Sequence, residues 1–351
     1  MSAEAAGTGL SLEEYVPHPE LVVAQTDVQR ARFPVIDAHN HLGRAVEQGP
    51  QAVERLVAEM DACNVRACFD LDGGRRGPLR ASIEALREAH PGRFYVLYVL
   101  PWEERVGQGG DFGRALAADL QRAVEEGADG LKVHKSLGLR LRDGSGRLVL
   151  PDDERLDPLF ARCGELKVPC LIHVADPKAF FRPKDRHNER WEELSHHPDW
   201  HFYGGDYPAF EALMESQERL VARHPGTVFH SAHVASCSED LGYVSGLLRR
   251  YPNLYVDISA RIAELGRQPY TARRFFLEHA DRILYGTDVS LTATWQRVYL
   301  RFLETWDEHF AYGPGEVPDQ GRWRICGVGL PDDVLQKVYS GNAERLYGKP
   351  R

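Results

Sequence analysis

From residue 34 onward the chain repeats one pattern, a short run of aliphatic, β-branched or aromatic residues followed by a longer stretch with apolar positions three and four apart. The short runs have the two-residue period or continuous apolarity of buried strands, and the longer stretches have the period of helices packed on one face. Strands are expected at 34–41, 65–71, 93–100, 128–134, 168–174, 226–233, 253–259 and 282–288. Helices are expected at 51–62, 79–90, 111–126, 155–166, 209–224, 238–250 and 270–280, with two more near 292–309 and 331–340. Each crossover helix returns the chain to the same edge, so the strands pair in parallel, and eight of them close into a (β/α)8 TIM barrel. The competing architecture, an open doubly wound sheet, places a glycine-rich phosphate turn after its first strand, and DAHNHLGR is not one.

Two connections are long for this fold: 135–154 after the fourth strand, with its DGSG turn, and 175–208 after the fifth. Both leave strand C-termini, the barrel face on which active sites are built, and read as lid or pocket walls. Residues 1–32, where Pro17 and Pro19 interrupt any period, read as an N-terminal arm, and 33–351 as the barrel domain. An arm of this kind suits an embrace of a neighbouring subunit, so a homo-oligomer is the expected assembly.

Ionisable residues recur at the expected strand ends. His39 and His41 stand two apart, and a strand's period points both to one face, where two imidazoles can bind one cation. One such pair in a chain with 15 histidines carries little weight. Recurrence changes this, because Lys132 ends the fourth strand, His173 the fifth, His233 the sixth and Asp288 the eighth. In a closed barrel these ends converge on one mouth, and imidazole with carboxylate is the ligand set of zinc, manganese or iron. Strand parity puts His134 on the face of Lys132, as a pocket residue or a polar filler, and turns Lys135 the other way. His230 and His233 are three apart and cannot both face inward on a regular strand, so His233 is taken as the pocket residue and His230 as structural. Asp37 and Asp176 flank these positions and can orient imidazoles or cap loops.

In order along the chain, the motifs VIDAHNHLG, GLKVH, LIHVAD, HSAHV, LYGTD and GNAERLYG resemble those of the amidohydrolase superfamily of metal-dependent barrel enzymes. The likeness is to its amidohydrolase-related branch, which also holds decarboxylases and hydratases, and covers roughly 33–348. The resemblance implies that His39, His41, His173 and Asp288 ligate a divalent metal, zinc first with manganese or iron as alternatives. It also implies that Asp288 takes a proton from water while His233 stabilises charge on the attacked group. Lys132 is either a carbamate-forming lysine that bridges two ions, with His173 and His233 on the second, or a barrel lysine paired with a carboxylate. One or two ions per chain therefore remain open at this point.

Arginines cluster at Arg182, Arg186 and Arg190 with Lys184, and again at Arg261, Arg267, Arg273 and Arg274. Solvated charge or ion pairing is the commoner reading of such clusters, but Arg261 leaves the seventh strand at the mouth and is the candidate anchor for a substrate carboxylate. The alternative is that Arg261 braces its loop against Glu264 or Asp257. His90, His224 and His279 read as helix C-terminal residues, and His196 and His197 as an exposed turn.

Composition narrows the partners. With 43 Lys and Arg against 52 Asp and Glu the formal charge is −9, which argues against nucleic acid. At 43% hydrophobic and 27% charged residues the chain is of ordinary globular composition. No secretory leader or run long enough to span a membrane is visible, and six cysteines without a CxxC pair suit free thiols in a reducing cytoplasm. The expected function is a metal-dependent hydrolase acting on an amide, ester or lactone of a small, carboxylate-bearing molecule. A non-oxidative decarboxylase, an iron or manganese oxygen-using enzyme and a non-catalytic barrel subunit are the alternatives.

Overall fold

The computed structural model describes residues 9–12, 14–107 and 110–351. Eight strands form one sheet in sequence order: β1 (Val35–Asp37), β2 (Val65–Gly73), β3 (Phe94–Val99), β4 (Gly130–Val133), β5 (Cys170–Ile172), β6 (Phe229–Ser231), β7 (Leu254–Asp257) and β8 (Ile283–Leu284). Every neighbouring pair is parallel. Just past the two edge strands, the Ala38 amide donates to the Tyr285 carbonyl (2.9 Å) and the Asp288 amide to the His39 carbonyl (2.8 Å), so the sheet returns on itself as a TIM barrel.

Alternation sorts the side chains into two cores. Ile36, Phe69, Leu71, Tyr95, Leu97, Leu171 and Leu284 fill the barrel, and the C-terminal helix Asn342–Tyr347 plugs its lower end with Ala343, Leu346 and Tyr347. Gly130 makes room for that plug: a Cβ there would lie 2.8 Å from the Pro169 carbonyl and 3.3 Å from the Tyr347 ring. The opposite faces pack on the helices in a larger outer core. In helix Phe112–Glu126 the buried Phe112, Leu116, Leu120 and Ala123 make one stripe, with the Asp111 carboxylate accepting from the Arg114 amide at the N-terminus (3.3 Å) and Gly127 ending it.

The strands are shorter than the hydrophobic pattern suggests. His39, His41, His134, His173, His233 and Asp288 all lie just beyond the last paired residue, in backbone that has left the ladder. The expected helix 79–90 becomes a short α-turn, Leu79–Ser82, that widens into a π-turn over Ile83–Glu88. The connections after β4 and β5 carry short helical turns at Ser136–Leu139, Lys178–Phe181, Trp191–His196 and Pro198–Trp200. A third excursion, 305–331, was not anticipated and is tied by an antiparallel bridge between Phe310 and Ile325. The described part of the arm has neither helix nor strand. It lies on its own barrel, where the Thr26 amide and hydroxyl donate to Asp307 (2.6 and 2.7 Å) and the Ala31 amide to the Cys63 carbonyl (3.1 Å). Among the described residues no helix is long and apolar enough to cross a membrane.

Candidate metal centre

The backbone delivers these side chains at a conformational cost. Asp288 has φ 51°, and His233, Val234, Ala235 and Ser236 have φ between 53° and 59°. That makes a left-handed turn after β6, closed by the Ser236 amide on the Ala232 carbonyl at 3.0 Å. Each such non-glycine residue costs roughly 1–2 kcal/mol because Cβ crowds the carbonyl, and branched Val234 pays most. The turn swings His233 inward, where its backbone N–H reaches Asp257 Oδ1 (2.9 Å).

Three imidazoles converge on Asp288. His39 Nε2 and His233 Nε2 lie 3.6 Å from Oδ2, and His41 Nε2 lies 3.7 Å from Oδ1. These gaps are longer than a hydrogen bond, so the groups surround a common point rather than bond to one another. His39, His233 and Asp288 offer ligand atoms that all fall within 4.8 Å of one another. The opposite nitrogens are occupied: His39 Nδ1 is 2.8 Å from Asp257, His41 Nδ1 is 2.9 Å from Asp72, and His233 Nδ1 is 2.8 Å from the Ser259 carbonyl. Burial lowers the pKa of His39, His173 and His233, which keeps these rings neutral with a lone pair to give. Burial pushes Asp257 up, but His39 and His230 outweigh it and hold the carboxyl well below its usual range.

Lys132 shares the inward face with Gly130, and its Nζ lies 3.4 Å from His39 Nε2, with burial lowering its pKa to about 8. The His173 ring packs on His233 at 4.3 Å between centroids, and its Nε2 sits 3.3 Å from Asp176 Oδ1 but off the bonding direction. Among the described residues the Nε2 atoms of His173 and His233 are both buried without a hydrogen-bond partner. His134 lies 6.0 Å from the His173 ring, and burial with nearby Lys132 pushes its pKa down to about 3.

A cavity of about 450 Å³ opens over this cluster, walled by the post-β5 insertion, the post-β7 loop and the excursion 305–331. Arg261 lines it, buried, with its guanidinium on the Ala260 carbonyl (2.8 Å) and, among the described residues, no carboxylate within ion-pair distance. The partners proposed for a bracing role are engaged elsewhere, Glu264 with Arg190 and Asp257 with the histidines. Lys135 does not turn away as strand parity suggested. The strand ends at Val133, and Lys135 lines the cavity paired with Asp176. His197 is exposed yet stands on the cavity rim, stacked on Trp200 at 4.0 Å. His230 stays below the site, its Nε2 3.0 Å from Asp257 and its Nδ1 3.1 Å from the Tyr347 hydroxyl.

A family model described as Amidohydrolase matches residues 36–349. The chain belongs to the amidohydrolase family. Comparison with curated protein sequences gives no match. Among solved structures, a TIM-barrel protein of Bordetella bronchiseptica superposes with TM-score 0.56 at 17% identity, over 90% of this chain and 99% of that one. A 2,6-dihydroxybenzoate decarboxylase in complex with 2,6-dihydroxybenzoate gives 0.55 at 18%, over 90% and 99%. A dihydroxybenzoic acid decarboxylase of Polaromonas sp. JS666, with manganese and 2-nitroresorcinol bound, gives 0.56 at 16%, over 90% and 97%. At these identities the superpositions establish the barrel.

Sequence reasoning missed the buttress beneath this amidohydrolase site. Asp257 holds His39, Asp72 holds His41, and Ser259 holds His233. A signal for Asp257 existed: it follows Tyr255, which faces the barrel interior, by two residues. The strongly buried Arg190 was also missed, because FRPKDRHNERW reads as solvated charge.

Proposed function

We propose that this protein is a metal-dependent hydrolase that opens an amide, ester or lactone bond in a small carboxylate-bearing molecule. The observation that carries the reading is the convergence of three imidazole Nε2 atoms on the Asp288 carboxylate at 3.6–3.7 Å. Among the described residues the buried Nε2 atom of His173 has no hydrogen-bond partner, which fits a cation as the missing one. His39, His41, His173 and Asp288 are the proposed ligands, and the nitrogen-rich set suits zinc. A divalent ion there supplies Lewis acidity and brings the pKa of water from about 16 to about 7.

The chain's own groups supply the rest. Asp288, reachable from the cavity, accepts a proton from water at its carboxylate. His233 carries its proton on Nδ1 and faces the same oxygen with Nε2, so it stabilises charge on the attacked group once Nε2 has taken up the proton that Asp288 accepts. Arg261 lines the cavity and presents its guanidinium to the substrate carboxylate. A second reading is non-oxidative decarboxylation. It is favoured by Arg261, which among the described residues has no carboxylate within ion-pair distance, and by the decarboxylases among the fold neighbours.

Metal analysis of protein purified without added metals tests the reading, together with a panel of aryl carboxylates, esters and lactones assayed for carbon dioxide and for ring or ester opening. About one zinc per chain with hydrolysis supports it. Carbon dioxide release without hydrolysis favours the second reading, and absence of bound metal refutes both.

A further inference from the structure

We infer that Asp257 is a positioning residue that fixes the tautomer of His39 and so turns its Nε2 lone pair toward Asp288. The consequence for metal binding rests on the function proposed above, whereas the tautomer is a property of the chain alone.

Asp257 is fully buried, and its two oxygens divide the work. Oδ1 accepts from the His233 amide (2.9 Å), the Ser259 amide (3.1 Å) and the Ser259 hydroxyl (2.5 Å). Oδ2 faces two imidazoles, His39 Nδ1 at 2.8 Å and His230 Nε2 at 3.0 Å. An ionised carboxylate has no proton to give, so His39 Nδ1, which is in hydrogen-bond geometry with it, carries its own. His39 is then protonated on Nδ1, and Nε2 is left as an acceptor. His230 Nε2 stands 3.0 Å from the same oxygen but outside hydrogen-bonding geometry, and its Nδ1 lies 3.1 Å from the Tyr347 hydroxyl.

His233 reaches the same tautomer through a different acceptor, the Ser259 carbonyl 2.8 Å from its Nδ1. The Ser259 hydroxyl lies 3.0 Å from His39 Nδ1 and 2.9 Å from His233 Nδ1. Its proton is committed to Asp257, so it can only accept from either ring. Removing that hydroxyl therefore leaves both tautomers as they are.

Asp257→Asn, by contrast, reverses the polarity at one atom. Three donors at the Oδ1 position keep the amide oxygen there, which places the NH2 against His39 Nδ1. His39 must then accept at Nδ1 and carry its proton on Nε2, pointing at Asp288 and Lys132. The corresponding change in Ser-His-Asp triads keeps the geometry and costs about 10⁴ in rate through the wrong tautomer. Loss of an outer hydrogen-bond partner of a ligating histidine costs about 10–100-fold in metal affinity.

Long-range ¹H–¹⁵N correlation spectra of metal-free, ¹⁵N-histidine-labelled protein read the tautomer directly, with the His39 signal assigned from His39→Gln. Titrations with Mn²⁺ and with Zn²⁺ on wild type, Asp257→Asn and Ser259→Ala follow. We expect Nδ1–H on His39 in wild type and Ser259→Ala, and Nε2–H in Asp257→Asn. Dissociation constants for both ions should rise about 10–100-fold in Asp257→Asn alone. A wild-type His39 protonated on Nε2 overturns the proposal even where Asp257→Asn does not fold. So does Asp257→Asn with Nδ1–H and full affinity. Wild type with Nδ1–H that binds neither ion upholds the tautomer assignment and refutes the metal reading.

Discussion

Arg190 offers a stability test that does not touch the metal centre. Its side chain is fully buried, with the guanidinium 2.7 Å from Glu193 and paired with Glu264, and it stacks on Trp323 at 5.3 Å. Arg267 covers the same indole at 4.2 Å and pairs with Glu189 at 2.8 Å. The knot ties together the post-β5 insertion, the post-β7 loop and the 305–331 excursion. Arg190→Met keeps much of the side-chain volume but leaves two buried carboxylates without their cation. Breaking a buried pair in this way costs about 3–5 kcal/mol. With about 2.1 cal/mol/K of unfolding entropy per residue over 351 residues, the whole chain has about 0.74 kcal/mol/K. The thermal midpoint should therefore fall by about 4–7 °C. Scanning calorimetry measures it, and metal content should stay at the wild-type level. An unchanged midpoint would refute the claim that the three walls are held by this buried charge cluster.

Arg261→Lys should weaken substrate binding and Arg261→Met more so, because lysine cannot reproduce the guanidinium fork. Metal content should be unchanged in both, and a lowered melting midpoint with unaltered kinetic constants would return Arg261 to a bracing role. Acid should release the arm: burial pushes the Asp307 carboxyl up, but hydrogen bonds from Thr26 and Arg301 outweigh this and lower its pKa. A depressed carboxylate contributes stability above the unfolded value of about 3.9 and loses it as pH falls through the folded value. Hydrogen exchange at residues 25–32 should therefore accelerate below that window in wild type, and Asp307→Asn should show fast exchange already at pH 7.

The barrel was legible because strand and helix periods alternate through eight units from residue 34, and parallel pairing follows from the crossover lengths. The ring of ionisable residues was legible for a related reason: in a barrel, chain position at a strand's C-terminal end is position at the mouth. Side-chain direction there was not. His134 and Lys135 lie past the last paired residue of β4, where the two-residue period no longer applies, and both line the cavity. The left-handed turn at His233–Ser236 has little local signature, since of its residues only His233 is of a type enriched at positive φ. Asp257 reaches His39 across 218 positions, and Arg190 reaches Glu264 across 74, so neither pairing has a trace in local pattern. The excursion 305–331 carries no period, and its place in the cavity wall depends on the Phe310–Ile325 bridge and on Trp323.

The most direct test of the metal centre is an anomalous-difference map, recorded at the zinc edge, from crystals of the protein grown with zinc. A peak within bonding distance, about 2.0–2.2 Å, of Asp288 and of the Nε2 atoms of His39 and His41 is predicted, and it should vanish in Asp288→Ala while the barrel remains folded. A peak placed away from Asp288, or one that persists at full height in Asp288→Ala, would contradict the account.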